Sequence, residues 1–143
     1  MTRNEIIKEA LEWQGTRWQH QASLKGVACD CAGFVRGVYK NITGIDVPIE
    51  VDYPATWHLF QKEERCYNTC KKYLTEINIT DIMPGDVILF AYRKSFVAHH
   101  MGIVLPNNKF IHADQDVGLV HVTAFDDTWE SRMRYAFKFN EVK

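Results

Sequence analysis

His100-Met101-Gly102-Ile103-Val104-Leu105-Pro106-Asn107-Asn108-Lys109-Phe110-Ile111-His112 decides the fold of this chain, because it reads as two strands joined by a tight connection with a histidine at each outer end. Side chains on a strand alternate faces, so His100, Gly102 and Val104 share one side. If Pro106-Asn107-Asn108 is a three-residue loop, Leu105 pairs with Lys109, Val104 with Phe110 and Gly102 with His112, and both imidazoles lie on one face. A two-residue turn at Asn107-Asn108 moves the register by one and turns His112 away. The odd loop needs an asparagine at positive φ, which that residue tolerates. Under it the histidines are diagonal neighbours, roughly 7–8 Å apart at Cα and bridgeable by their rings. Gly102 leaves room between them.

Outward from this hairpin the strand pattern continues. Pro84-Gly85-Asp86 is a turn signal before Val87–Phe90, and Leu119–Ala124 and Met133–Phe139 follow, giving with His100–Leu105 and Lys109–Ala113 five short strands. The N-terminal half is helical. Residues 2–14 place Ile6, Ile7, Ala10, Leu11 and Trp13 at helical spacing, with Thr2 and Glu5 as a capping box and Gly15 as the stop. A second helix is expected from Cys31, burying Phe34, Val35 and Val38; Gly33 and Gly37, one turn apart, indicate a close approach of backbone, expected to be to a sheet. Between them, Pro54 is the expected first residue of a helix through Trp57, Leu59 and Phe60, with another around Cys70 to Leu74. Helices first and a meander afterwards predict an α+β domain, residues 1–143 as one unit, with N-terminal helices packed on a central antiparallel sheet of about five strands.

Composition narrows the partners. With 17 basic and 18 acidic residues, a net charge of −1 and no long block of either sign, nucleic acid and anionic membranes are poor candidates. No apolar run approaches the roughly 20 residues of a membrane helix. Residues 1–7 lack the apolar core and small-residue cleavage site of a secretory signal, so no Sec export is expected. Cys29, Cys31, Cys66 and Cys70 are too few and too irregularly spaced for a disulfide scaffold and are expected reduced; the same spacings argue against a zinc site, and no metal or cofactor is expected.

Chemistry concentrates at Asp30-Cys31-Ala32-Gly33-Phe34-Val35, where a thiol stands at the mouth of a helix, a position that lowers a cysteine pKa. A cysteine nucleophile needs a base, and the base needs a group that fixes its tautomer. Cys31, His100 and His112 fit those roles in that order, with His112 sharing the Nδ1 proton of His100 and Asp114 as the alternative orienter. Asp30 reads both as a helix N-cap and as a partner for a substrate amine. Cys29 is read as a loop or core residue, His99 as a surface or core-edge residue facing away from His100, and His20 as either cleft-lining or solvated. His58 and His121 have no partner identifiable from sequence, and Trp57, Phe60, Trp129, Tyr135 and Phe137 read as core.

These residues carry a resemblance to the NlpC peptidase family of bacterial and phage cell-wall hydrolases. Asp30–Val35 resembles its D-C-S-G-F-V nucleophile motif, Pro84-Gly85-Asp86 its P-G-D turn, His100-Met101-Gly102-Ile103 its H-x-G-I strand, Phe110-Ile111-His112-Ala113 the strand of the third catalytic residue, and Gly15-Thr16-Arg17-Trp18 its G-T-x-Y segment. The resemblance implies a papain-like fold and hydrolysis of amide bonds in peptidoglycan stem peptides, typically between D-glutamate and a diamino acid. His20-Gln21 and Ser23-Leu24-Lys25-Gly26 are similar to segments of peptidases encoded among phage-tail or gene-transfer-agent genes, which implies phage-tail proteins as partners and delivery to the wall inside a particle. Ala32 stands where the family has a serine that helps bind the free amine of the stem peptide, and Trp18 where it commonly has a tyrosine near the oxyanion. An acyltransferase or transamidase on the same nucleophile, and a phage-tail structural component without turnover, are the competing functions.

Overall fold

The computed structural model describes residues 1–48, 55–60 and 62–143. Helix α1 (Arg3–Leu11) opens the chain, capped by Thr2, whose hydroxyl accepts the Glu5 N–H at 3.2 Å. It is shorter than the apolar spacing predicts: the helix ends at Leu11, and a turn through Gly15 at φ 83° carries Trp13 into the core. Three two-residue strands follow, β1 (Arg17–Trp18), β2 (Ser23–Leu24) and β3 (Ala28–Cys29). Helix α2 (Cys31–Thr43) then runs to Gly44, whose φ of 79° and bond to the Lys40 carbonyl close it. Helix α3 (Trp57–Phe60) and helix α4 (Arg65–Tyr73) precede β4 (Leu74–Ile77). The expected helix around Cys70–Leu74 therefore begins earlier, at Arg65, and Leu74 already belongs to a strand; Pro54, its expected neighbour's first residue, lies outside the described residues.

Strands β5 (Val87–Phe90), β6 (His100–Leu105), β7 (Lys109–Asp114), β8 (Leu119–Ala124) and β9 (Met133–Phe139) form the expected meander, with helix α5 (Asp127–Arg132) before the last. Among the described residues the sheet holds nine strands rather than about five, in the order β2-β3-β1-β8-β7-β6-β5-β9-β4. The additional four are two to four residues long, too short to leave an alternating pattern in the sequence, and β1 pairs with β3 in parallel. The fold is α+β, with the expected helices on the sheet.

Two apolar clusters cover the two faces. The larger buries Ile6, Trp13, Phe34, Val38 and Val35 from the helices against Val87, Leu89, Met101, Ile103, Ile111 and Phe137. The smaller gathers Ile88, Phe90, Val104, Phe110 and Phe125 on the opposite face, with half-buried Trp129 against them. Burying each such side chain contributes roughly 1.5–3 kcal/mol. The β6–β7 hairpin has the three-residue connection: Leu105 pairs with Lys109 and Val104 with Phe110, and Asn107 and Asn108 take φ of 66° and 59°.

The N-terminus is fastened to the turn before β5. The Arg3 guanidinium donates to the Asp86 carboxylate at 2.6 Å and to the Pro84 carbonyl at 3.1 Å, while Asp86, 0% exposed, also accepts the Met83 N–H at 2.7 Å.

The close approaches at Gly33 and Gly37 are real, but the neighbours are not the sheet. A Cβ on Gly33 would strike the Ala22 carbonyl, and one on Gly37 would strike the Trp13 indole. Gly37→Ala is expected to destabilise the domain by about 1–3 kcal/mol through overpacking against a fully buried ring. A urea midpoint unchanged from the wild type would contradict this packing.

Candidate active site

Cys31 begins α2 because Asp30 caps it. One carboxylate oxygen accepts the Gly33 N–H at 2.7 Å and the other accepts the Gln21 N–H at 2.7 Å, so a single side chain ties the helix start to the loop before β2. Caps of this kind stabilise by about 0.5–2 kcal/mol. The bare Gly33 lets the Ala22 carbonyl come close, where it accepts the Asp30 N–H at 3.1 Å. Both oxygens of Asp30 thus have backbone partners, and the residue still borders the cleft described below.

The histidines meet on the face of the smaller apolar cluster. His100 Nε2 and His112 Nδ1 are 2.7 Å apart, with Trp129, Phe90 and Phe110 packed around the rings. Gly102 makes this possible: a Cβ there would lie 3.0 Å from the Phe110 ring and 3.4 Å from His112 Cβ. The nitrogen is the opposite of the expected one, since His100 presents Nε2 to His112, which leaves Nδ1 as the nitrogen not engaged in that pair. His112 Nε2 in turn lies 2.8 Å from Thr123 Oγ1. For two neutral rings a consistent assignment follows: His100 Nε2–H donates to His112 Nδ1, His112 Nε2–H donates to the Thr123 hydroxyl, and His100 Nδ1 keeps a free lone pair. Asp114, the alternative orienter, is turned elsewhere, accepting from Asp116 N–H at 3.0 Å and paired with His121 Nε2 at 3.0 Å.

Burial sets the charge state. It pushes the Cys31 thiol well above its ordinary value, reinforced by the Asp30 and Cys66 neighbours and opposed by backbone N–H groups of Met101 and Ala32. The helix mouth still pulls this thiol down through the Ala32 N–H, as its position in the sequence suggests, but desolvation outweighs that pull and the net shift is upward. Burial pushes His100 well below the usual imidazole range, helped by His112, and His112 down to about 4. Thiol and base both rest uncharged, with the thiol directed at the His99 carbonyl, 3.7 Å away.

Cys31, His100, Trp18, His20, Asp30 and Asp114 border one cleft of about 270 Å³. His99 borders it too. It is half-buried, in keeping with a core-edge residue, but it precedes β6 and so escapes the strand alternation that would turn it away: its ring accepts the Tyr92 N–H at 3.1 Å and stacks on His58 at 3.8 Å. Cys29 is buried in the larger core. Thr123, His121 and the His58–His99 stack were missed from the sequence. Thr123 and His121 were within reach by carrying the parity count one strand further, since β8 sets Thr123 opposite Phe110 and His121 opposite His112. All four cysteines are free thiols, and among the described residues they form no ligand cluster. No described helix is long and apolar enough to cross a membrane.

The chain is similar to known proteins over most of its length. The NlpC/P60 family model matches residues 9–138. The murein DD-endopeptidase MepS/murein LD-carboxypeptidase of Escherichia coli K12 is 23% identical over 94% of this chain and 61% of its own length, and a probable endopeptidase NlpC homolog of Haemophilus influenzae is 27% identical over 85% and 54%. The chain thus spans about three-fifths of the first of these relatives. Among solved structures, the NlpC/p60 domain of the peptidoglycan hydrolase SagA superposes with a TM-score of 0.65 at 22% identity, covering 97% of this chain and all of that one. An NlpC/P60 family protein from Bacillus cereus reaches 0.71 at 16% identity, over 97% of this chain and 40% of that one.

The charge states have measurable consequences. His99, His100 and His112 bind protons more readily unfolded, near pH 6.5, than folded, where His99 is pushed down to about 3 and His112 to about 4. Their neutral burial is therefore without penalty above pH 6.5 and destabilises increasingly as pH falls toward 4. Urea midpoints are expected to drop between pH 7 and 5, less so in His99→Gln; parallel slopes would contradict the assignment. Likewise, Cys31 is expected to react with iodoacetamide at pH 7 more slowly than a free thiol, and faster as pH rises; a pH-independent fast reaction would mean a resting thiolate.

Proposed function

This chain belongs to the NlpC/P60 family of peptidoglycan hydrolases, and from that premise we propose that residues 1–143 act as one catalytic domain, a cysteine endopeptidase that cuts peptidoglycan stem peptides between D-glutamate and a diamino acid. The observation that carries the reading is the thiol at the capped start of α2 bordering the same cleft as His100, whose Nε2 is 2.7 Å from Nδ1 of the buried His112 behind it.

The chemistry follows from the tautomers. Cys31 Sγ attacks the amide carbon while His100 Nδ1 takes the thiol proton, so charge separates only as the new bond forms. The imidazolium is held by His112 Nδ1, and His112 by the Thr123 hydroxyl. The Cys31 N–H, at the first turn of α2, has no helical partner and is free to face the oxyanion; Trp18 Nε1–H is the second donor. Collapse breaks the C–N bond as His100 protonates the leaving amine. Water, deprotonated by His100, then cleaves the thioester and restores the thiol. Asp30, Asp114 and Asp116 border the cleft, with no lysine or arginine among its described lining residues. That balance favours a substrate with a free amine, as a trimmed stem peptide carries.

Defined muropeptides, followed by mass spectrometry, provide the test. Cleavage after D-glutamate is expected with the wild type and a loss of roughly 10⁴-fold or more with Cys31→Ala. Products cut at another bond would reassign the specificity, and no product would end the reading. Thr123→Val is expected to lower kcat roughly tenfold with little change in KM, about 1.4 kcal/mol for one orienting hydrogen bond, and Thr123→Ser to restore it.

A further inference from the structure

We propose that His112, Asp114 and His121 form a binding site for a transition-metal dication of the zinc class, and that the ion, once bound, switches the active site off. The switching half rests on the proposed peptidase reading; the binding half does not.

One ligand atom from each of the three residues lies within 4.8 Å of the other two. They come from directly paired strands: His112 stands opposite His121, Asp114 is two residues along β7, and all three face the same side of the sheet. The rings of His112 and His121 are 5.0 Å apart between centroids, and Asp114 Oδ2 already meets His121 Nε2 at 3.0 Å. Two imidazoles and one carboxylate suit zinc, and a fourth position is open to water because Asp114 borders the cleft. The strand scaffold leaves only small ring and carboxylate rotations to close the ligands on an ion. The acidic lining of the cleft draws a cation inward.

The consequence for the active site runs through protons. The His112 nitrogen on the β8 side is Nε2, now bonded to the Thr123 hydroxyl. A metal there takes the Nε2 lone pair, so the ring proton must sit on Nδ1. That proton points at His100 Nε2, 2.7 Å away, which must then accept. His100 is forced to carry its own proton on Nδ1, the nitrogen that would otherwise take the thiol proton. Both rings exchange tautomer and the hydrogen bond of His112 to Thr123 is given up, and the base has lost its lone pair on the working side.

The test uses purified, metal-free protein titrated with Co²⁺, read by its visible absorption, and with Zn²⁺ in competition with a chromophoric chelator. Wild type and Cys31→Ala are expected to bind one equivalent alike, while His121→Ala and His121→Asn bind on the order of 100-fold more weakly or not at all. Circular dichroism melts establish that each variant is folded. Undiminished binding in folded His121 variants, loss of binding in Cys31→Ala, or no binding by the wild type would each overturn the site. For the switch, Zn²⁺ is expected to halt muropeptide cleavage by the wild type but not by His121→Ala, whose uninhibited rate should match. Metal bound at the site without loss of cleavage overturns the switch; a protein that binds metal and cleaves nothing leaves the site standing and counts against the peptidase reading.

Discussion

The three-residue connection after Leu105 is the constraint on which the rest of this structure depends. One residue fewer would reverse the facing of every side chain on β7 and send His112 into the helix-packed core, where Ile111 and Ala113 now sit. Two consecutive asparagines at positive φ hold that length, and the turn is locked from the residue after β8 by the Phe125 N–H on the Asn108 carbonyl and the Asn108 amide on the Phe125 carbonyl. Local backbone conformation, several residues away from any reacting atom, thereby sets which groups can touch.

Against that frame the two faces of the sheet divide the labour. Cys31 arrives with α2 from the side of the larger core, while the imidazoles lie on the other side, among Phe90, Phe110 and Trp129. Cys31 and His100 border one cleft because His100 is the first residue of β6, where the strand begins and a helix terminus can reach around it. The aromatic surround has an energetic role as well: it excludes water and keeps both rings uncharged, so the electrostatic work of separating a proton from sulfur is deferred until a substrate is present.

Much of this was legible in the sequence, and the parts that were not share a cause. The meander, the start of α2 and the facing of His100 and His112 follow from alternation, a capping aspartate and a turn, all of which act over a few residues. The short strands β1 to β4 do not, because pieces of two to four residues are set by what they lie against rather than by a pattern of their own. Trp13 beneath Gly37 and the Ala22 carbonyl beneath Gly33 are likewise tertiary facts; the glycines announced a close neighbour but not its identity. The ring nitrogen of His100 and the net shift of the thiol were not legible for the same reason, since both depend on residues distant in the chain, such as Trp129 packed on His100 and Cys66 near the thiol.

The pairing of Arg3 with Asp86 gives the first residues of the chain a weight their position would not suggest. A carboxylate with no exposure to water is neutralised by one guanidinium supplied from the outermost turn of α1. Removing the guanidinium, as in Arg3→Ala, would leave that carboxylate stranded, a loss of about 3–5 kcal/mol for a buried pair broken from one side. Arg3 thus behaves as a latch on the turn before β5, and its loss would shorten the lifetime of the whole domain without touching its cleft.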